Sequence, residues 1–89
     1  MKNFEEKINE ALKIIKSGKK VRIVGSEHKF YAYRFISNEN GKEYITYNFK
    51  TLKQSGHDTW GCCDIDFEQF QSLIQLIFRG ETIRVSVKE

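Results

Sequence analysis

The sequence predicts a two-layer α+β fold: a mostly antiparallel sheet with two helices on one face, in the order α-β-β-β-(β)-α-β. Three observations predict it. Two segments carry apolar residues at helical spacing, the segments between and after them alternate apolar and polar residues, and glycines punctuate the boundaries. With 89 residues the chain is expected to form one compact domain over 1–89, removing only about 60 to 65% of its unfolded surface from water.

The first helix opens at Asn3, whose side chain can cap the helix, with Glu6 three residues on. Phe4, Ile8, Ala11, Leu12 and Ile15 then share one face, and Ser17-Gly18 ends the segment. At Val21 the period drops from 3.6 to 2, giving a strand to Val24 with Val21 and Ile23 on one side, followed by a turn at Gly25-Ser26. Lys29 to Ile36 is an aromatic-rich strand. Asn40-Gly41 signals a two-residue type I′ hairpin loop, and Lys42 to Phe49 returns. Between Thr51 and Ile65 the pattern is weak: Gly56 and Gly61 read as turn points and Trp60 to Cys63 as an irregular strand. Asp66 with Gln69 caps a second helix whose Phe67, Phe70, Leu73, Ile74, Ile77 and Phe78 form an apolar arc, closed by Arg79-Gly80. Thr82 to Val87 alternates again, with Ile83, Val85 and Val87 inward and Arg84 and Ser86 outward. Residues 14–23 and 76–85 echo each other as helix, glycine and strand with a central arginine, a likeness that the physics of a helix turning straight into a strand accounts for.

A two-residue loop at Asn40-Gly41 sets Ile36 opposite Ile45, Arg34 opposite Tyr47 and Ala32 opposite Phe49. With the helices over that side, the other face carries Tyr31, Tyr33 and Phe35 on one strand and Tyr44, Thr46, Asn48 and Lys50 on the next, joined by Arg22 and Arg84. Exposed aromatics interleaved with cations suit a contact surface for an acidic protein or for single-stranded nucleic acid. The competing explanation is structural, since cross-strand aromatic pairs stabilise an exposed sheet by roughly 0.2 to 1 kcal/mol each. The assignment rests on the loop: a one-residue shift exchanges the faces, a longer loop removes its basis, and Arg34 fits poorly on a core side.

Apolar residues at 39% suffice for a core, and a net charge of +3 is too small to keep the chain unfolded, so no cofactor is expected to be needed for folding. No apolar run is long enough to span a membrane, and the charged opening lacks a signal peptide's apolar stretch, so the expected location is cytoplasmic. Residues 1–34 hold nine basic and four acidic groups, residues 51–89 four and six. The run Lys13, Lys16, Lys19, Lys20 and Arg22 could attract phosphate, or could simply complement the first helix's C-terminal dipole.

Cys62 and Cys63 are adjacent, too close across a trans peptide for a relaxed disulfide, and read as reduced thiols. Together with His57, Asp58 and Asp64 they lack metal-hook spacing, so no metal site is expected; His28 and His57 read as turn and loop residues. A sheet with helices on one side offers little concave volume for a substrate, and no catalytic residue is assigned. Trp60 is either a plug at the sheet edge or an exposed anchor. Asp58, Asp64, Asp66 and Glu68 could form an anionic patch, although helix N-terminal preference explains the last two.

The stretch Glu10-Ala11-Leu12-Lys13-Ile14-Ile15-Lys16-Ser17-Gly18-Lys19-Lys20-Val21-Arg22 resembles the beginnings of several small bacteriophage proteins. The helix, three-strand, helix order looks like some compact anti-CRISPR inhibitors, although those are often acidic mimics of DNA and this chain is net basic. The resemblance implies a protein that occludes a host or defence complex stoichiometrically, and it carries no catalytic residues over to this sequence. The expected function is therefore a small non-enzymatic binding protein that docks a larger protein or nucleoprotein through Tyr31, Tyr33, Phe35, Tyr44, Lys50, Arg22 and Arg84. The alternative is direct binding of RNA or single-stranded DNA by the same face, and exposed edge strands leave homodimerisation open.

Overall fold

At the first helix boundary the Glu6 N–H donates to Asn3 Oδ1 at 2.8 Å, so the expected cap forms and α1 runs over Phe4–Lys16 in this computed structural model, which describes residues 3–53 and 58–88. The readings of Gly56 as a turn point and His57 as a loop residue lie outside the described residues. α1 ends at Gly18, whose φ of +90° lets its own N–H reach Ile15 O while the Lys19 N–H reaches Ile14 O, a paired closure that gives two carbonyls of the last turn main-chain partners.

The remaining elements are β1 (Lys20–Val24), β2 (His28–Ile36), β3 (Glu43–Thr51), β4 (Thr59–Asp64), α2 (Phe67–Phe78) and β5 (Arg84–Lys88). The weakly patterned segment thus holds a full strand. The five strands form one sheet ordered β4-β3-β2-β1-β5, antiparallel at every pairing, so β4 and β5 are its edges. α2 starts where the Gln69 N–H donates to Asp66 Oδ2 and ends with Arg79 in the left-handed region.

Both helices cover the same side. Ile8, Ala11, Leu12 and Ile15 of α1 and Phe70, Ile74, Ile77 and Phe78 of α2 are buried against Val21, Ile23, Phe30, Ala32, Ile45 and Ile83. Each of the fully buried large side chains contributes about 1.5–3 kcal/mol relative to exposure, which is why the 3.6 and 2 periods of these segments lock into two layers. Ile83 lies just before β5 rather than within it, and Val87, expected inward, is 40% exposed near the end of this edge strand.

The hairpin between β2 and β3 corrects the sequence reading. Ile36 faces Glu43, Arg34 faces Ile45 and Ala32 faces Tyr47, two residues away from the register that a two-residue loop imposes. The loop holds four residues, Asn38 to Gly41: the Ser37 N–H donates to Lys42 O, and the Gly41 N–H returns to Ser37 O. A type I′ turn needs positive φ at both central residues, and here Gly41 has it (+70°) while Asn40 does not. Asn40 instead accepts the Lys42 N–H on its side chain at 2.9 Å. Because the displacement is two residues, an even number, every side chain stays on its expected face.

The tight loop lies elsewhere, at Ser26-Glu27 between β1 and β2, closed by the Gly25 N–H on His28 O at 2.9 Å. The turn is held from afar: Glu81 Oε1 accepts the N–H of Glu27 at 2.6 Å and that of His28, the first residue of β2, at 3.2 Å. Arg34 is also accommodated. It sits on the helix side beyond the core, where its guanidinium donates to Lys16 O at 3.2 Å and lies 3.6 Å from Glu43, a cation at the negative end of α1.

Candidate functional site

The open face of the sheet is built by the residues that alternate with the core. Strand registry arranges them in rows, with neighbouring strands about 4.8 Å apart. One row runs Trp60, Asn48, Tyr31, Arg22, Ser86 from β4 to β5. A second runs Lys50, Lys29, Val24, Arg84, and a third joins Cys62, Thr46 and Tyr33 on one side with Lys20 and Lys88 on the other. At the far end Phe35 faces Tyr44, which faces Asp64.

All seven residues expected to bind a partner, Tyr31, Tyr33, Phe35, Tyr44, Lys50, Arg22 and Arg84, therefore stand on this face. They are not one cluster. Tyr31 and Tyr33 are central, Phe35 and Tyr44 lie toward the β2–β3 loop, and Arg84 lies at the β5 edge, where Arg22 reaches Ser86 Oγ at 3.4 Å. Tyr33 and Phe35 are exposed, and Tyr31 and Tyr44 are half-buried by their neighbours.

Four residues outside those seven also stand on this face. Trp60, which the sequence left undecided, is 67% exposed and stands on this face, away from the core. Lys29, Lys20 and Lys88 join the cations. Lys88 lies over the Tyr31 ring with Nζ 4.1 Å from its centre, and Lys20 lies 5.4 Å from the Tyr33 ring centre. Such contacts contribute about 0.5–1 kcal/mol at exposed sites. The signal for Lys29 and Lys88 was the strand alternation itself, carried one step past Tyr31 and Ser86.

Between Trp60 on β4 and Tyr31 and Tyr33 on β2 the face sinks into a depression of about 360 Å³, with Asn48 in its floor and Lys20, Lys50, Lys88 and Asp58 around it. Asn48 is 8% exposed, and its amide approaches Thr59 O only at 3.5 Å, the long limit of a hydrogen bond. The charges around the depression are unbalanced. Lys20 stands directly opposite Lys88 and Lys29 directly opposite Lys50, like-charge pairings that cost stability. Among the described residues no salt bridge joins any of these four lysines to a carboxylate; Asp64 is engaged by Lys42 at 3.4 Å at the opposite end of the face.

The helix side has a different chemistry. Gly61 faces Tyr47, and a Cβ there would run into the Tyr47 ring, so glycine is what allows that ring to lie across β4 and stack on Phe30 and Phe49. Burial, then the neighbouring Cys63 and Cys62, pushes the Tyr47 hydroxyl up. Burial, reinforced by Asp64 and Cys62, also pushes the Cys63 thiol up to about 11, the opposite of an activated nucleophile. Cys62 and Cys63 point to opposite faces, as neighbours on a strand must.

Glu27, His28 and Glu81 bring three potential metal-binding atoms within 4.8 Å of one another. Hydrogen bonding already occupies the central one: Glu81 accepts two main-chain N–H groups on Oε1 and meets His28 Nδ1 at 2.7 Å on Oε2. His28, expected in a turn, is the first residue of β2 and part of this staple. Burial alone would raise the Glu81 carboxyl, but the bonds from Glu27 and His28 outweigh it and hold the group below its ordinary range. Among the described residues no helix is long and apolar enough to cross a membrane. The chain matches no protein-family model, no curated protein and no solved structure.

Proposed function

We propose that the protein is a non-catalytic binding module that holds an anionic macromolecular partner on its open sheet face. Its mode of action is stoichiometric occlusion, the mode by which a phage-encoded or mobile-element inhibitor blocks a host protein or nucleoprotein complex. The observation that carries this reading is the pair of like-charge lysine oppositions, Lys20 with Lys88 and Lys29 with Lys50, beside exposed aromatic rings. Opposed like charges weaken a sheet, and an anion placed across them turns that cost into attraction. Aromatic anchors then supply the desolvated contact area on which affinity rests.

Two charge-matched double variants test it on a polyanion such as heparin. Lys20→Gln with Lys88→Gln removes two cations from the open face, and Lys13→Gln with Lys16→Gln removes two from α1. The first pair is expected to release the polyanion at distinctly lower salt than the second. Equal losses would assign the binding to net charge alone and reject the face.

A further inference from the structure

Resting on that reading, we infer that the anionic partner is a single-stranded nucleic acid, with one base seated in the depression between Trp60 and the Tyr31–Tyr33 pair. Three features of the depression point to bases and not to carboxylates alone. It is flanked by rings on two sides: Trp60 and Tyr31 lie in one row with only Asn48 between them, about 10 Å apart by strand spacing, leaving room for a planar group over Asn48. The floor residue Asn48 offers a side-chain amide whose present bond to Thr59 O is long, so it can turn to the polar edge of a base. The rim supplies Lys20, Lys50 and Lys88 against the single carboxylate Asp58, so cations stand beside rings as phosphates and bases together require.

In the free protein Lys88 and Lys20 cover the Tyr31 and Tyr33 rings. An exposed cation over a ring holds less tightly than a stacked base, so an arriving base displaces the ammonium groups, which swing outward to the phosphates on either side. The lysines thus serve as placeholders when the face is empty and as phosphate contacts when it is filled. Duplex nucleic acid, whose bases are already stacked inside, satisfies only the second role.

The chain has a single tryptophan, so its emission reports on this site alone. Titration with short oligo-dT, and in parallel oligo-U, is expected to quench Trp60 saturably, with log K falling against log salt at a slope of about −2 for three phosphate contacts. Heparin is expected to compete without quenching. By anisotropy of a labelled oligonucleotide, Trp60→Ala is expected to weaken binding about 5- to 150-fold and Trp60→Phe to restore most of it, because a ring is retained. Oligonucleotides that bind without quenching, or no better than a duplex, would overturn the inference while the heparin result keeps the face reading intact. Tighter binding of polyglutamate than of oligo-dT would assign the face to an acidic protein and overturn it equally. Failure to bind any polyanion would remove both.

Discussion

The two faces of one sheet are made by the same strands and governed by opposite rules. Beneath the helices, Val21, Ile23, Phe30, Ala32 and Ile45 of β1 to β3 are apolar, dry and mutually supporting: Phe30 stacks on Tyr47, meets Phe70 edge-on and is fully buried. On the open side the intervening residues put lysine opposite lysine and leave Tyr33, Phe35 and Trp60 in solvent. The contrast separates residues that hold the structure from residues proposed to meet a partner, and each of the following substitutions presses on that separation.

The largest effect is expected at the centre of the covered face. Phe30→Ala should cost about 3–5 kcal/mol in chemical denaturation, because the cavity it leaves lies between Phe70 of α2 and the Tyr47 ring. A loss below 1 kcal/mol would mean that the covered face is not the core. Next comes Gly61→Ala. Its new methyl group must displace the Tyr47 ring, an overpacking expected to cost about 1–3 kcal/mol, read from the urea midpoint. An unchanged midpoint would show that Tyr47 does not lie over β4.

The Glu81 staple gives a pH-dependent effect of intermediate size. Its folded-state pKa is depressed, so its contribution is complete above the unfolded carboxylate value of about 4.3 and is lost as pH falls through the lower folded value. Glu81→Gln should therefore cost about 1–2 kcal/mol near neutrality and flatten the acid limb of the stability curve. Parallel acid limbs in the two proteins would exclude Glu81 as the titrating group. The smallest effect has the opposite sign. Lys29→Gln relieves its opposition to Lys50 and should leave stability unchanged or raise it by a few tenths of a kcal/mol, while lowering the salt concentration at which heparin releases the protein.

Which parts of this were legible in the sequence follows from the range of the forces involved. Both helix caps, the helix ends at Gly18 and Arg79-Gly80, and the facing of β1 to β3 depend on residues within a few positions of one another, and they read correctly. Loop geometry did not. Asn40-Gly41 carries the stronger local signal for a two-residue turn, yet the two-residue loop is Ser26-Glu27, where the Glu27 amide and that of His28 after it are held by Glu81 more than fifty residues along the chain. The longer loop moved the β2–β3 register by two, and the faces survived only because a strand repeats every two residues. β4 was indistinct for the same reason: Gly61 reads as a turn until Tyr47 is seen to occupy the space of its missing side chain. Trp60 next to it could be placed only once the strand was.

The division of labour between the faces is tested most directly by Tyr33→Ala, measured for melting and for oligonucleotide binding on the same preparation. The account predicts a melting temperature within about 4–8 °C of the parent, as for a loss of no more than 1 kcal/mol, together with a clear loss of binding. A collapse in melting temperature, or undiminished binding by a stable variant, would contradict it.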